Sequence, residues 1–312
     1  MLKINNLVKK YGNFKAVDDL SLHVKKGEIY GFVGPNGAGK TTTMKIVSGL
    51  LACTSGEVYI DGIDALKNRR LVKRKIGYMP DFFGVYDDLK VEEYLEFYAS
   101  IYDIEGKEKD ELIKDLLALV NLTDKKDAYV DDLSRGMKQR LCLARCLVHN
   151  PELLILDEPA SGMDPKSRIE MKNILRTLKD MGKTIIISSH ILPELAELCT
   201  NIVIIQGGKA IISGTVKEVM DNVYKTKSIK IKVIENADNV INTLKEYVEV
   251  SNVKTLVNNI ITADFNGNDE VMSSILERLI MKKIKVVDFT TMEGNLEEVF
   301  MKVIGGENIE EH

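Results

Sequence analysis

The run Gly34-Pro35-Asn36-Gly37-Ala38-Gly39-Lys40-Thr41 sets three glycines, a lysine and a hydroxyl residue at GxxxxGK[ST] spacing. It follows an apolar run at 29–33 and leads into a helix-like run at 42–51. A strand, a glycine-rich turn and a helix is the setting in which this pattern cradles phosphate. Gly34, Gly37 and Gly39 let backbone N–H groups converge on an anion, an approach that side chains would block. Asn36, Ala38 and Thr42 complete the loop and the first turn, where unpaired N–H groups and the helix dipole favour negative charge. Lys40 is placed to reach the β- and γ-phosphates, and the Thr41 hydroxyl to ligate Mg²⁺.

Asp157, Glu158 and Pro159 end the continuous apolar run 153–156, which reads as a strand buried on both faces. Sheets of this kind bind ligands at the carboxyl ends of their strands. Asp157 would hold Mg²⁺, directly or through water, and Glu158 would orient or deprotonate an attacking water. The next buried strand, 184–188, is followed by Ser189 and His190. This puts the histidine at a second carboxyl end, where it contacts a γ-phosphate or serves structure. Ser134, behind Asp131 and Asp132, caps a helix that opens with Arg135, Gly136 and Met137. That start is either a second anion site or an ordinary cap. Tyr11, in a loop Lys9-Lys10-Tyr11-Gly12, stacks on a base or is plain surface.

The elements that must position these residues read as an α/β domain. Strands are expected at 2–8, 20–24, 29–33, 57–60, 75–79, 153–156 and 184–188, with a hairpin at 201–206 and 209–213 turning on Gly207-Gly208. From 91 to about 150 the period becomes helical, through Tyr94, Leu95 and Tyr98, then Leu112, Leu116 and Leu119, then Leu141, Ala144 and Leu147. After a short helix at 215–222 and a polar linker at 224–228, the order is β 229–234, α 237–247, β 251–257, β 260–265, α 269–281 and β 283–290. That order is the split βαβ, ferredoxin-like unit. A last helix is expected with Asn295 as N-cap, Glu298 completing a capping box, and Leu296, Val299, Phe300 and Val303 on one face.

The chain has 312 residues, 45% of them hydrophobic, and a formal net charge of −4. This length suits about two domains, and the charge argues against a broad nucleic-acid-binding surface. The four cysteines, Cys53, Cys142, Cys146 and Cys199, lack the spacing of a disulfide framework. Cys142 and Cys146 share a helix face as buried small residues rather than as metal ligands. The first residues lack the layout of a signal peptide, and nowhere do about 18 apolar residues run together.

Taken in order, Gly34 to Thr41, Leu133 to Met137, 153–159, Ser161 to Asp164 and His190 resemble the ATP-binding cassette (ABC) ATPases over residues 1 to about 222. The resemblance implies a P-loop ABC ATPase core of α/β class with an antiparallel β subdomain and a helical insert at about 88–150. The small α+β domain, 228–312, follows it. ATP and Mg²⁺ are the implied cofactors. Tyr11 would stack on adenine, Thr41 and Asp157 would serve Mg²⁺, Glu158 would be the catalytic base and His190 the switch histidine. Two subunits, identical or different, would pack head to tail, so that Ser134 and Gly136 of one contact the γ-phosphate on the other. Asp81 stands where most members have a glutamine, which leaves its reach to the metal open. Arg135 and Met137 replace the commoner glycine and glutamine of the signature loop.

The ending Asn295 to Phe300 after an extra α/β domain resembles the exporter branch that pairs with separate type-2 permeases. There Phe82, Phe83, Val85 and Tyr86 would face a permease helix or fill the core. The expectation is an ATP hydrolase at the cytoplasmic face of the membrane that powers a separate permease for export of a drug, peptide, lipid or other small substrate. The alternatives are a non-transport ABC ATPase and a nucleotide-sensing regulator without turnover. The carboxyl-terminal domain is expected to serve packing and assembly, with binding of the transported substrate as a rival role.

Overall fold

In the computed structural model the described residues are 1–82, 84, 88–189, 192–223, 227–292 and 300. The chain opens with β1 (Leu2–Tyr11), β2 (Phe14–Val24), β3 (Ile29–Val33), α1 (Lys40–Val47), β4 (Ser55–Ile60), β5 (Ile63–Asp64), α2 (Arg69–Lys73) and β6 (Ile76–Met79). Three helices follow, α3 (Val91–Ile101), α4 (Gly106–Leu119) and α5 (Arg135–Leu147). Next come β7 (Leu153–Leu156), α6 (Pro165–Asp180), β8 (Thr184–Ser188), α7 (Leu192–Leu198), β9 (Asn201–Gln206) and β10 (Lys209–Thr215). The remainder is α8 (Val216–Val223), β11 (Lys227–Val233), α9 (Ala237–Leu244), β12 (Val250–Leu256), β13 (Ile260–Phe265), α10 (Asp269–Met281) and β14 (Val286–Met292). Two compact units divide the chain, Met1–Val216 and Lys217–His312.

The first unit is built on a six-stranded sheet in the order β10-β9-β3-β8-β7-β6. Every residue of β3, β7 and β8 is buried, as expected of parallel strands covered on both faces. β10 is the antiparallel edge, joined to β9 through Gly207 (φ 56°) and Gly208 (φ 82°). Two successive positive φ values match the twist of a hairpin, and glycine adopts them without steric cost. A second, antiparallel sheet runs β2-β1-β4-β5. Its inward residues Leu2, Ile4, Leu20 and Val58 share one core with Met44 and Ile46 of α1 and with Phe32 and Ile155 of the larger sheet.

β1 continues through Lys9, Lys10 and Tyr11, which pair with Val17, Lys15 and Phe14 of β2. The sequence suggests a loop there because the hairpin tip is largely exposed on both faces and carries no alternation to read. On α4 the buried positions are Ile113, Leu116 and Leu117, so its apolar face is rotated from the expected Leu112, Leu116 and Leu119.

In the second unit the sheet order is β12-β13-β11-β14, the pairing of a split βαβ fold, with all three pairs antiparallel. Ile231, Ile261, Phe265, Leu244 and Leu279 anchor its core. β12 and β13 turn on Asn258 and Asn259, at φ 65° and 55°. Residues 224–226 of the expected linker and Asn295, Leu296, Glu298, Val299 and Val303 of the expected last helix lie outside the described residues.

Candidate functional site

The turn after β3 is held in shape by its glycines. A Cβ on Gly34 would stand 2.3 Å from the carbonyl oxygen of Ile205, and one on Gly39 2.4 Å from that of Ala16. Gly37 and Gly39 also have φ values of 80° and 107°, which side-chain-bearing residues rarely adopt. Neighbouring backbone pins the turn from outside. The Gly208 N–H donates to the Ala38 carbonyl at 3.0 Å, and the Asp18 N–H donates to the Gly208 carbonyl at 2.9 Å. The hairpin turn of β9 and β10 therefore supports the loop, a role the sequence does not advertise.

α1 begins at Lys40, whose side chain folds back over the turn. Its Nζ donates to the Gly34 carbonyl at 2.6 Å and to that of Pro35 at 3.2 Å. Burial lowers the Lys40 pKa, while the charges of Glu158 and Asp157 act in the opposite direction. The ammonium is thus sensitive to both carboxylates from the strand ends nearby. Thr41 and Asn36 are exposed at the loop rim, and the Thr43 hydroxyl is occupied by the Gly39 carbonyl at 2.9 Å.

β3, β8, β7 and β6 are consecutive neighbours and all parallel. Their carboxyl ends consequently line up the glycine turn, residues 188–189, the Asp157-Glu158 pair and residues 80–81 along one edge. Asp157 is 1% exposed. Its Oδ1 accepts from the Ser188 hydroxyl at 2.7 Å, whereas its buried Oδ2 has no hydrogen-bond partner among the described residues. A buried carboxylate oxygen without a donor is costly unless a cation or water meets it, so Asp157 fits a divalent cation. Glu158 has φ 53°, and its N–H donates to the same Ser188 hydroxyl at 2.9 Å. This left-handed turn takes Glu158 out of the strand. Ser188 is the residue that sequence reasoning missed; its signal was one hydroxyl closing the otherwise apolar run Ile185, Ile186 and Ile187.

Asp81 is exposed just past the end of β6. The Tyr78 hydroxyl is raised far above its ordinary pKa, first by burial and then by the charges of Asp157 and Asp81. His190 lies outside the described residues, as do Phe83, Val85 and Tyr86, while Phe82 is 90% exposed. Tyr11 is 51% exposed at the hairpin tip, with Lys9 Nζ 4.9 Å from its ring centroid.

Ser134 caps α5, its hydroxyl accepting from the Met137 N–H at 3.3 Å. This helix start is fastened to the turn after Glu158 rather than standing alone. Gln139 Nε2 donates to the Ser161 carbonyl at 2.9 Å. The Arg135 guanidinium packs over Gly162, where a Cβ would stand 2.4 Å from its central carbon. Gly162 at φ 68° thus accommodates the arginine. Asp164 caps α6 by accepting from the Ser167 N–H at 3.0 Å and hydroxyl at 2.6 Å, and these bonds hold its carboxyl below the usual range. Cys142 and Cys146 are buried, and Cys146 Sγ donates to the Tyr78 carbonyl at 3.2 Å. No group of three or more histidine, cysteine or acidic residues suited to a metal occurs among the described residues. None of the described helices is long and apolar enough to cross a membrane.

This arrangement has counterparts. Residues 17–161 match the ABC transporter family model, and residues 214–304 match that of the ATP-binding protein DrrA1-3-like C-terminal domain. The chain is 35% identical over 312 residues to the bacitracin transport ATP-binding protein BcrA of Bacillus licheniformis, covering 99% of each. It is 32% identical over 307 residues to the linearmycin resistance ATP-binding protein LnrL of Bacillus subtilis (strain 168), covering 98% of each. A dimeric ATP-binding cassette solved in a post-hydrolysis state with ADP and Pi matches it at a TM-score of 0.63 and 27% identity, over 69% of this chain and 99% of that one. With a full-length relative at that identity and a matching cassette fold, the chain belongs to the ABC transporter family, as an ATP-binding and ATP-hydrolysing subunit.

Proposed function

We propose that the chain drives a separate integral-membrane permease from the cytoplasmic face of the membrane, exporting a small molecule such as a drug, peptide or lipid. ATP lies between two chains packed head to tail. The observation that carries this reading is the gathering of Lys40, Asp157 and Glu158 at the ends of neighbouring strands, with Lys40 sensitive to both carboxylates. The relatives named for bacitracin transport and linearmycin resistance support the export direction.

In this reading Lys40 exchanges its bonds to the Gly34 and Pro35 carbonyls for β- and γ-phosphate oxygens. Backbone N–H groups of residues 36–42 take the remaining phosphate oxygens. Tyr11 stacks on adenine through its exposed ring. The Thr41 hydroxyl and Asp157 would hold Mg²⁺, with Asp81 as a further candidate, and the ion would supply positive charge against the phosphates. Such an ion would need few protein ligands. Glu158 accepts the proton of the water that attacks the γ-phosphorus, ADP departs with its β-oxygen, and His190 orients the γ-phosphate. Ser134 and Gly136 of the partner subunit complete the wall opposite the cradle, a helix start offering N–H groups to the transferring phosphoryl. Phe82 and the residues after it serve as the permease contact.

Phosphate release by the purified chain across a dilution series tests the two-chain site. Specific activity should rise with concentration as chains pair; constant specific activity across a range that spans dissociation would contradict it. For the transport role, a polytopic chain with about six apolar spans should co-purify in detergent.

A further inference from the structure

Ser188 has no exposed surface and closes β8, opposite Phe32 of β3. A hydroxyl in that position must find partners, since a buried polar group left unpaired is costly. Its two partners belong to consecutive residues of the neighbouring strand end. The Ser188 hydroxyl has one proton, and the Glu158 N–H is able only to donate. Ser188 Oγ therefore accepts from Glu158 N at 2.9 Å and spends its proton on Asp157 Oδ1 at 2.7 Å. The direction of both bonds is fixed by the inventory of donors.

Two consequences meet in the site. One oxygen of Asp157 is claimed, so the carboxylate is held in one rotation and Oδ2, buried and without a partner among the described residues, is the oxygen left for a cation. The peptide between Asp157 and Glu158 is held as well, in the left-handed turn at φ 53° that lifts Glu158 out of the strand. Such a turn is strained for a residue with a side chain and persists where the surroundings hold it. The geometry points to Ser188 as a positioning residue for ATP hydrolysis: one buried hydroxyl sets the metal-facing oxygen of Asp157 and the backbone of Glu158 together. The roles of base and metal carboxylate are thereby mechanically coupled, because the same atom orients both. Partners of this kind behind a metal ligand commonly contribute about tenfold to a hundredfold in metal affinity or activity.

The inference rests on the ATPase reading above. Its test compares S188A and S188C with the parent chain by three measurements: ATP binding in excess EDTA, the gain in ATP affinity on adding Mg²⁺, and phosphate release across a Mg²⁺ titration. In S188A, ATP binding in EDTA should stay within about twofold of the parent, because the glycine cradle and Lys40 are untouched. The Mg²⁺ for half-maximal hydrolysis should rise about tenfold, the affinity gain on adding Mg²⁺ should shrink by a similar factor, and turnover should fall about tenfold or more. S188C, near in size but a weak donor, should show the same pattern, and it carries the test if S188A does not fold. Parent-like Mg²⁺ dependence and turnover in the folded variant overturn the proposal. So does a loss of ATP binding in EDTA as large as the loss with Mg²⁺, since the damage would then be to the cradle as a whole. If the parent itself releases no phosphate, both readings fall; if it turns over and the variants match it, only the assignment of Ser188 does.

Discussion

Gly136 of α5 packs so closely on Ser167 of α6 that a Cβ on the glycine would stand 2.7 Å from the Ser167 hydroxyl, which is itself bonded to Asp164 at 2.6 Å. The start of the signature helix and the turn that follows Glu158 are thus packed as one piece. Gly136→Ala must displace Ser167, loosen the Asp164 cap or tilt the helix start, at a cost of about 1–3 kcal/mol for overpacking. The expected result is nearly unchanged ATP affinity, because the cradle is elsewhere in the chain, with hydrolysis down about tenfold or more. Nucleotide titration alongside phosphate release separates the two effects.

Lys40→Ala removes the ammonium that bridges the Gly34 and Pro35 carbonyls and that, in the proposed site, holds the phosphates. ATP affinity should fall by about tenfold or more, in line with losing a charge-assisted contact of roughly 1.5–3 kcal/mol. Equilibrium titration with a labelled nucleotide reads this directly, and unchanged affinity would remove the lysine from the cradle.

Glu158→Gln keeps the shape of the side chain and the backbone bond to Ser188 while removing the proposed proton acceptor. Hydrolysis should drop by about a hundredfold to ten-thousandfold, with ATP binding retained. If two chains enclose the nucleotide, this variant should elute as a dimer when ATP is present and as a monomer without it. Size-exclusion chromatography and phosphate release give the two readouts, and turnover at the parent rate would strip Glu158 of its role.

Away from the site, Glu152 joins Lys75 at 2.8 Å and Lys26 at 3.0 Å. Hydrogen bonds from Lys75 and then Lys26 hold its pKa down, at about 2 against an ordinary 4.5. A carboxyl depressed in the folded state lends stability above its unfolded pKa and loses it as pH falls through the folded value. Glu152→Gln should therefore be less stable than the parent at pH 7, by up to about 1 kcal/mol because the cluster is partly exposed. That gap should narrow between about pH 4.5 and about pH 2. Urea unfolding midpoints across this range check it.

Much of the site can be read locally. The glycines near 34–39 and the acidic pair after 153–156 announce themselves because each rests on a short stretch whose residue types have few other uses. Ser134 is legible as a cap for the same reason. Ser188 is not, because a serine ending an apolar strand looks interchangeable until the neighbouring strand is known, and neighbours are set by packing. The replacement of the commoner glycine by Arg135 becomes intelligible only once Gly162 lies beneath it. Tyr11 shows a different limit: its strand is formed by backbone pairing on an exposed tip, where side-chain pattern carries little information.

The placement of β3 between β8 and β9 also governs when the site comes into being during synthesis. The glycine turn is encoded early, yet β3 borders two strands that follow it in sequence by about 150 residues or more, at Thr184–Ser188 and Asn201–Gln206. Closing so long a loop is slow compared with forming local contacts. A nascent chain halted before residue 184 lacks both neighbours of β3 and the hydroxyl that sets Asp157, so it should hold nucleotide poorly. Capacity for ATP should then arrive in a late step, once the hairpin of β9 and β10 has left the ribosome, making nucleotide retention a timer for completion of the central sheet.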